Sequence, residues 1–265
     1  MTRLRVLGTL ELEIQDKIYS PRPPKQRQVL GLLSVCANRI VSLESIIEEL
    51  WGDTPPRSAT TTAQTYVYQI RKNLSRLCDG PESELLETAS PGYILHLAPE
   101  QLDVAVFREH LANARAHFKK DNRVEASRLL WRALRLWRGG ALEDIPLGPL
   151  LRAHVAHLEE QRLQALEMRI QMDLLMDRHR DMVGELKQLI AEYPLNEWFY
   201  AQLMRTLQRS GRRGEALQVY QVLRRTLQEE LGIEPSLDLQ QLQRAVLKSG
   251  EGGQQHLRVP SVEAG

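Results

Sequence analysis

The spacing of apolar residues changes at about residue 99, and this change limits the possible folds more than any other feature of the chain. Apolar and polar side chains alternate over residues 4–14, which predicts short strands. Residues 25–77 have helical spacing, and two strand-like segments flank the turn Ser90-Pro91-Gly92. This order of strands, three helices and a hairpin is that of a winged helix. Beyond Pro99 the spacing is almost entirely helical.

The chain is therefore expected to contain two domains of different class. Residues 1–98 are predicted to form an α+β winged helix-turn-helix domain that binds DNA. Residues 99–250 are predicted to form an all-α, tetratricopeptide-like helical repeat domain. The composition of residues 251–265 predicts a disordered tail.

The repeat prediction depends on one internal match. Met182 and Leu186 correspond to Ala216 and Tyr220 at an offset of 34 residues, the tetratricopeptide period. An inserted segment, from Arg138 to about Leu151, interrupts the regular spacing before this match.

The third predicted helix, from about Ser58 to Leu77, has one face without any acidic residue. A solvated helix face normally mixes charges of both signs, whereas this face combines hydroxyl, amide and cationic groups. Such groups hydrogen-bond to phosphates and base edges. The face consists of Thr61, Thr65, Tyr68 and Lys72, with Gln69 and Arg76 at its margin.

Local charge supports a DNA-binding N-terminal domain although the net charge is only +1. Five basic residues and no acid lie between Asp16 and Glu44, and four basic residues and no acid lie between Asp53 and Asp79. DNA affinity depends on a local positive surface more than on total charge. Either stretch alone would also fit an ordinary solvated surface.

Several further positions are candidates for DNA contact. The amide N-terminus of the first helix, near Lys25 and Arg27, favours phosphate. Gly92 is expected to take a positive φ at the wing turn, and Tyr93 to pack under the wing. Arg71 fits either a phosphate contact or an ion pair with a glutamate of the second helix. The predicted DNA-binding residues are Lys25, Arg27, Thr61, Thr62, Thr65, Tyr68, Gln69, Arg71, Lys72, Arg76, Gly92 and Tyr93.

Enzyme, metal and cofactor functions find little support in the motifs. His154 and His157 are three residues apart on a helix, but no third ligand has metal-site spacing. The chain has no nucleotide-binding fingerprint and no nucleophile-elbow motif. Trp131 and Trp137 lie on a helical stripe and are expected in the core. We therefore predict no catalytic residues, no metal and no cofactor.

A cytoplasmic location is the simplest expectation. The N-terminus lacks the apolar segment of a signal peptide, and no run of 18 apolar residues predicts a membrane helix. Cys36 and Cys78 do not form a disulfide framework, and Cys36 lies in an apolar run that predicts a buried thiol.

Two long motif strings resemble the Streptomyces antibiotic regulatory protein family. LRVLGTLEL, the stretch from PPKQRQVLGLL to YQIRKNL, and ASPGYILHL are similar to an OmpR-type winged helix, here at the N-terminus. LWRGGAL and the stretch from LIAEYPLNEWFY to LDLQQL are similar to the bacterial transcriptional activation domain. The resemblance covers about residues 3–248 and is closest to the small members of the family.

The resemblance implies a transcriptional activator. Such a protein binds direct repeats near a promoter, recruits RNA polymerase holoenzyme, and switches on an antibiotic or other secondary-metabolite gene cluster. Half-sites on one face of DNA lie about 10–11 bp apart, so two protomers would bind head to tail as a homodimer.

Two other functions stay open at this point. The helical repeat domain could hold a peptide or small-molecule ligand that controls DNA binding. The protein could also act as a repressor, because a winged helix only places it on DNA.

Overall fold

The computed structural model describes residues 2–15, 17–77, 85–176 and 179–248. The predicted disordered tail, 251–265, lies outside the described residues. The chain divides into two compact units, Met1–Arg169 and Ile170–Gly265. The expected boundary near residue 98 marks a change of secondary structure instead, and as a boundary between functional domains it stays a prediction.

The first 98 residues contain six strands and three helices among those that the structure describes. In chain order they are β1 (Thr2–Arg5), β2 (Glu11–Ile14), β3 (Lys17–Tyr19), α1 (Pro24–Val35), β4 (Val41–Ser42), α2 (Leu43–Trp51), α3 (Ala59–Leu77), β5 (Leu86–Ala89) and β6 (Gly92–Leu95).

The later described residues form only helices. After a short 3₁₀ turn at Pro99–Gln101 come α4 (Asp103–Lys119), α5 (Arg123–Leu134), α6 (Pro149–Leu175), α7 (His179–Glu192), α8 (Glu197–Arg209), α9 (Arg213–Leu231) and α10 (Leu237–Lys248). The predicted fold class, an N-terminal winged helix followed by an all-α region, is confirmed.

Two small antiparallel sheets frame the three helices of the winged helix. The N-terminal sheet has the order β1-β2-β3, and its alternating residues Leu4, Leu12 and Ile14 are buried as the period-2 pattern predicts. The second sheet has the order β4-β6-β5, in which β5 and β6 form the predicted wing hairpin. The helices α1, α2 and α3 bury their apolar stripes against one another.

The helix starts follow local chemistry. Pro24 opens α1, where its missing N–H costs no hydrogen bond. The hydroxyl of Ser42 accepts the backbone N–H of Ser45 at 3.0 Å and so caps the N-terminus of α2.

Glu49 is the main departure from the expected pattern of α2. Helical spacing places it opposite the apolar stripe, yet its side chain is only 2% exposed. Its carboxylate accepts the backbone N–H groups of Gly148, Leu150 and Leu151 at 2.6, 2.9 and 3.0 Å. The carboxylate therefore caps the N-terminus of α6, where free N–H groups and the helix dipole favour a negative charge.

The close approach of α2 to α6 requires a glycine. A Cβ on Gly148 would lie 2.0 Å from the carbonyl oxygen of Glu49. The amide of Gln28 on α1 completes the site by donating to the same carbonyl oxygen at 2.7 Å and to the carboxylate at 3.1 Å. One buried carboxylate thus joins α1, α2 and the start of α6.

Two more carboxylates bind the loop between β1 and β2 in the same way. Asp103, at the start of α4, accepts the backbone N–H groups of Val6 and Leu7 at 2.9–3.0 Å. Asp144 accepts the backbone N–H of Leu10 at 3.0 Å. Burial raises the pKa of Asp103, while the hydrogen bonds from the loop oppose that shift. Residues 103–169 therefore pack with the winged helix in the first unit.

The second unit packs its helices in sequential pairs, α7 with α8 and α8 with α9. Met182 and Leu186 of α7 are buried, and so are their 34-residue counterparts Ala216 and Tyr220 of α9. The positions matched by sequence thus occupy equivalent places in the packing. No helix in the described part of the chain is long and apolar enough to cross a membrane.

The two tryptophans expected in the core lie nearer the surface. Trp131 is 41% exposed, so its predicted burial is wrong; the Arg169 guanidinium lies 4.5 Å from its ring centroid. Trp137 is half-buried, packs edge-on against Phe107 at 5.6 Å and lies under Arg162. The cation contacts cover ring surface that neighbouring apolar side chains leave open.

The buried cap predicts a large effect of a small change. Glu49→Gln replaces one acceptor oxygen with an NH₂ group that faces the same N–H donors. We expect a loss of about 1–3 kcal/mol in the free energy of unfolding, measured by urea denaturation. Glu48→Gln, on the exposed position beside it, should change stability by less than about 0.5 kcal/mol. Equal effects of the two variants would show that the cap contributes nothing.

A second prediction concerns pH and His154 on α6. Burial, followed by the charges of Arg39, Arg108 and His157, lowers the pKa of His154, and Glu49 opposes this shift. A depressed folded-state pKa gives stability that is complete above about pH 6.5 and is lost as pH falls through the folded value. The melting temperature should fall between about pH 7 and 5, and fall less in His154→Gln. Superimposable pH profiles would contradict this role.

Candidate nucleic-acid interface

The amphipathic pattern of α3 determines which of its faces is available to a partner. Ala63, Val67, Ile70 and Leu74 are at most 1% exposed and face α1 and α2. This burial turns the opposite, acid-free face outward.

The centre of the outward face is formed by the predicted residues. Exposed positions on it are Thr61, Thr65, Tyr68, Lys72 and Arg76. The Tyr68 side chain is 59% exposed, which is unusual for a large ring. Among the described residues, neither Lys72 nor Arg76 makes an ion pair. Their charges are therefore not neutralised by a neighbouring described acid.

Three predicted residues at the edges of this face are half-buried: Thr62, Gln69 and Arg71. Thr62 lies near the helix start, with its hydroxyl 3.5 Å from that of Ser58. Gln69 accepts a hydrogen bond from the amide of Gln26 on α1. This bond fixes the Gln69 side chain and leaves its own NH₂ group as the donor that can face outward.

Arg71 contacts the wing and not a glutamate of α2. Its Nε donates to the carbonyl oxygen of Leu86 at 3.0 Å, and one terminal nitrogen donates to the Thr88 hydroxyl at 2.8 Å. Both partners are on β5, so Arg71 holds the wing against α3. The expected pairing with a helix-2 glutamate is wrong, because the planar guanidinium spans two acceptors of one strand instead.

A groove of about 610 Å³ runs beside the C-terminal half of α3. It is bordered by the segment between β3 and α1, and three cations line it: Arg22, Lys72 and Arg76. Asn73 lies in its wall and donates to the Tyr19 hydroxyl at 3.3 Å. Sequence reasoning missed Arg22 and Asn73 as site residues, although the acid-free basic stretch around Arg22 was a signal for one of them.

The structure gives Lys25 and Arg27 partners other than the expected phosphates. Lys25 Nζ donates to the carbonyl oxygen of Leu50 at 2.5 Å and lies 4.9 Å from the Trp51 ring centroid. It thus meets the negative C-terminal end of α2. Arg27 forms an ion pair with Asp144. We place both residues outside the candidate interface.

Gly92 is needed for space and not for backbone freedom. The expected positive φ is wrong, since Gly92 is not among the positive-φ glycines of the described chain. A Cβ there would lie 1.9 Å from the carbonyl oxygen of Val41 on β4. Gly92 is buried, so its contact with DNA is excluded in this arrangement. Tyr93 pairs with Val41 and Thr88 in the sheet and is half-buried, in line with packing under the wing.

Within the described ranges, no three His, Cys, Asp or Glu side chains are grouped as a metal site. His154 instead lies 3.6 Å from the Cys36 sulfur, and burial raises the pKa of that thiol.

Two protein families match this chain. The family described as "Transcriptional regulatory protein, C terminal" matches residues 21–95, which contain α1–α3 and the wing. The family described as "Bacterial transcriptional activator domain" matches residues 102–247.

Individual relatives match over nearly the whole chain. Regulatory protein DnrI of Streptomyces peucetius is 38% identical, over 94% of this chain and 93% of the relative. Transcriptional regulator RedD of Streptomyces coelicolor is 34% identical, over 92% of this chain and 70% of the relative. Among solved structures, Mycobacterium tuberculosis EmbR in complex with a low-affinity phosphopeptide has a TM-score of 0.84 and 29% identity. That match covers 94% of this chain and 66% of the EmbR chain.

The wing provides a test of the local packing. Gly92→Ala forces a Cβ against the β4 backbone, which cannot rotate away as a side chain would. We expect a loss of about 1–3 kcal/mol in the free energy of unfolding, measured by urea denaturation. Gly184→Ala is the matched control, because a Cβ there meets nothing within 4 Å and the site lies inside α7. That variant should gain up to about 1 kcal/mol. A neutral Gly92→Ala would contradict the close approach.

Proposed function

Because the chain belongs to the Streptomyces antibiotic regulatory protein family, and is thus a DNA-binding transcriptional regulator and not an enzyme, we propose that it activates a secondary-metabolite gene cluster. It binds direct repeats near promoters in the cytoplasm and recruits RNA polymerase holoenzyme. The observation that carries this proposal is the outward, acid-free face of α3.

Base readout is assigned to the exposed middle of α3. A helix of this diameter fits the major groove of B-DNA, where each base pair presents a distinct set of donors and acceptors. The hydroxyls of Thr61 and Thr65 and the ring of Tyr68 suit base edges and thymine methyl groups. Thr65 also bonds the Thr61 carbonyl oxygen at 2.8 Å, which orients its hydroxyl along the helix.

Phosphate contacts are assigned to the cationic groove beside α3. Arg22, Lys72 and Arg76 border this groove on two different elements. A phosphate backbone that passes there would meet positive charge on both sides, which fixes the register of α3 in the major groove. Gln69 lies at the edge where the cationic groove meets the face of α3 that is assigned to base readout.

Arg71 acts on DNA indirectly in this proposal. By bonding Leu86 and Thr88 it sets the position of the wing relative to α3. The wing then contacts the backbone next to the half-site that α3 reads.

Direct repeats determine the assembly on DNA. Half-sites about 10–11 bp apart present the same face of the duplex to two protomers. Two copies of this chain therefore bind head to tail as a homodimer on the promoter.

The DNA assignment is tested by removing one phosphate contact. Lys72→Ala should weaken binding to the promoter repeat and lower the slope of log K against log salt by about one unit. Fluorescence anisotropy at several salt concentrations measures both quantities. Lys119→Ala, an exposed lysine on α4, should keep the original slope. If Lys72→Ala binds like the parent protein at every salt concentration, the assigned face is wrong.

Activation is tested separately from binding. Base-resolution footprinting across the genome would identify the promoters, the repeat spacing and the position relative to the polymerase. Transcription in vitro from such a promoter, with purified holoenzyme, should rise when the protein is added and should not rise with Lys72→Ala. A fall in transcript with the parent protein would assign repression instead.

A further inference from the structure

The second unit contains a cavity that DNA binding does not use. Its volume is about 330 Å³, within the range of about 300–1,000 Å³ typical of small-molecule sites. One wall is the last turns of α6 and the other is one face of α8. The lining residues are Gln171, Leu174, Leu175, Trp198, Gln202, Arg205, Thr206 and Arg209.

The lining residues follow helical spacing, so they form one stripe on α6 and one stripe on α8. Gln171, Leu174 and Leu175 follow i, i+3, i+4 on α6, so they share one face. On α8, Trp198 and Gln202 are followed by Arg205 and Thr206 at the same helical spacing. Each stripe therefore presents an apolar group beside a polar one.

The hydroxyl of Thr206 is the clearest sign of a missing partner. Thr206 is 1% exposed, and its Oγ1 has no hydrogen-bond partner among the described residues. A buried hydroxyl without a partner is costly, so such groups are rare in folded proteins. Thr206 is one of the residues that line the cavity, and we assign the missing partner to a ligand bound there.

The charged residues that line the cavity favour a negatively charged ligand. The described lining residues include two arginines, Arg205 and Arg209, and no acid. Arg205 makes no ion pair with any described residue. A guanidinium binds a carboxylate through two parallel hydrogen bonds, which a neutral group does not reproduce.

We propose that this cavity binds a small organic carboxylate with an apolar ring or chain. The carboxylate pairs with Arg205, the hydroxyl of Thr206 hydrogen-bonds to a polar atom of the ligand, and the apolar body packs between Trp198 and the two leucines of α6. Binding at this site is measured without DNA, so this proposal and the proposed function fail separately.

The first experiment compares an acid with its neutral analogue. Isothermal titration of the full chain with 1-naphthylacetate and with 1-naphthylacetamide changes only the charged group. We expect saturable binding of the acid, and at least about tenfold weaker binding of the amide. Phenylacetate and octanoate extend the test to a smaller ring and a linear chain. Equal affinity for acid and amide, or no saturable binding of any of the three acids below about 10 mM, overturns the proposal.

Variants locate the site. Arg205→Gln should reduce affinity for the acid to that of the amide, whereas Arg225→Gln, an exposed arginine on α9, should leave it unchanged. Thr206→Val removes the hydroxyl at nearly constant shape. This variant should bind the acid severalfold more weakly. The melting temperature of the unliganded protein should stay equal or rise, because an unsatisfied polar group is removed. Parent-like affinity in both Arg205→Gln and Thr206→Val excludes this cavity as the binding site.

Discussion

The buried carboxylate of Glu49 is the interaction on which the first unit depends. It lies at the end of α2, accepts three backbone N–H groups at the start of α6, and receives the Gln28 amide from α1. A charge in the interior is tolerated only when such donors satisfy it. The helices that support α3 are therefore fixed to the helical region by a charged hydrogen-bond network as well as by apolar contact.

Asp103 and Asp144 extend this principle to the N-terminal sheet. From the β1–β2 loop, Asp103 accepts two backbone N–H groups and Asp144 accepts one. Arg138 adds a backbone bond to Leu7 at 2.8 Å. The segment from Arg138 to about Leu151, which appeared in the sequence as an insertion in a helical repeat, thus contains residues that connect the sheet with the helices. This explains why it interrupts the 34-residue spacing.

The sequence was most informative where apolar spacing decides the outcome. The stripe of α3, the Ser42 cap and the wing hairpin all follow from local rules that involve neighbouring residues. The intramolecular contacts of Glu49, Arg71 and Arg27 were not predicted, because their partners lie 15 to 117 positions away in the chain and local pattern does not encode such pairs. Gly92 was expected to take a positive φ, whereas it is needed for space, since steric contact with a distant strand leaves no trace in its own neighbourhood.

The position of Arg71 has a consequence for retargeting this protein to a new operator. Arg71 lies within α3, to which we assign base readout, yet its side chain bonds to the wing. A library that randomises the whole helix would therefore disturb two recognition elements at once and confuse altered sequence preference with a displaced hairpin. Substitutions confined to positions 61, 65, 68 and 72, with 71 kept as arginine, would vary the residues assigned to readout and keep the contact between α3 and the wing.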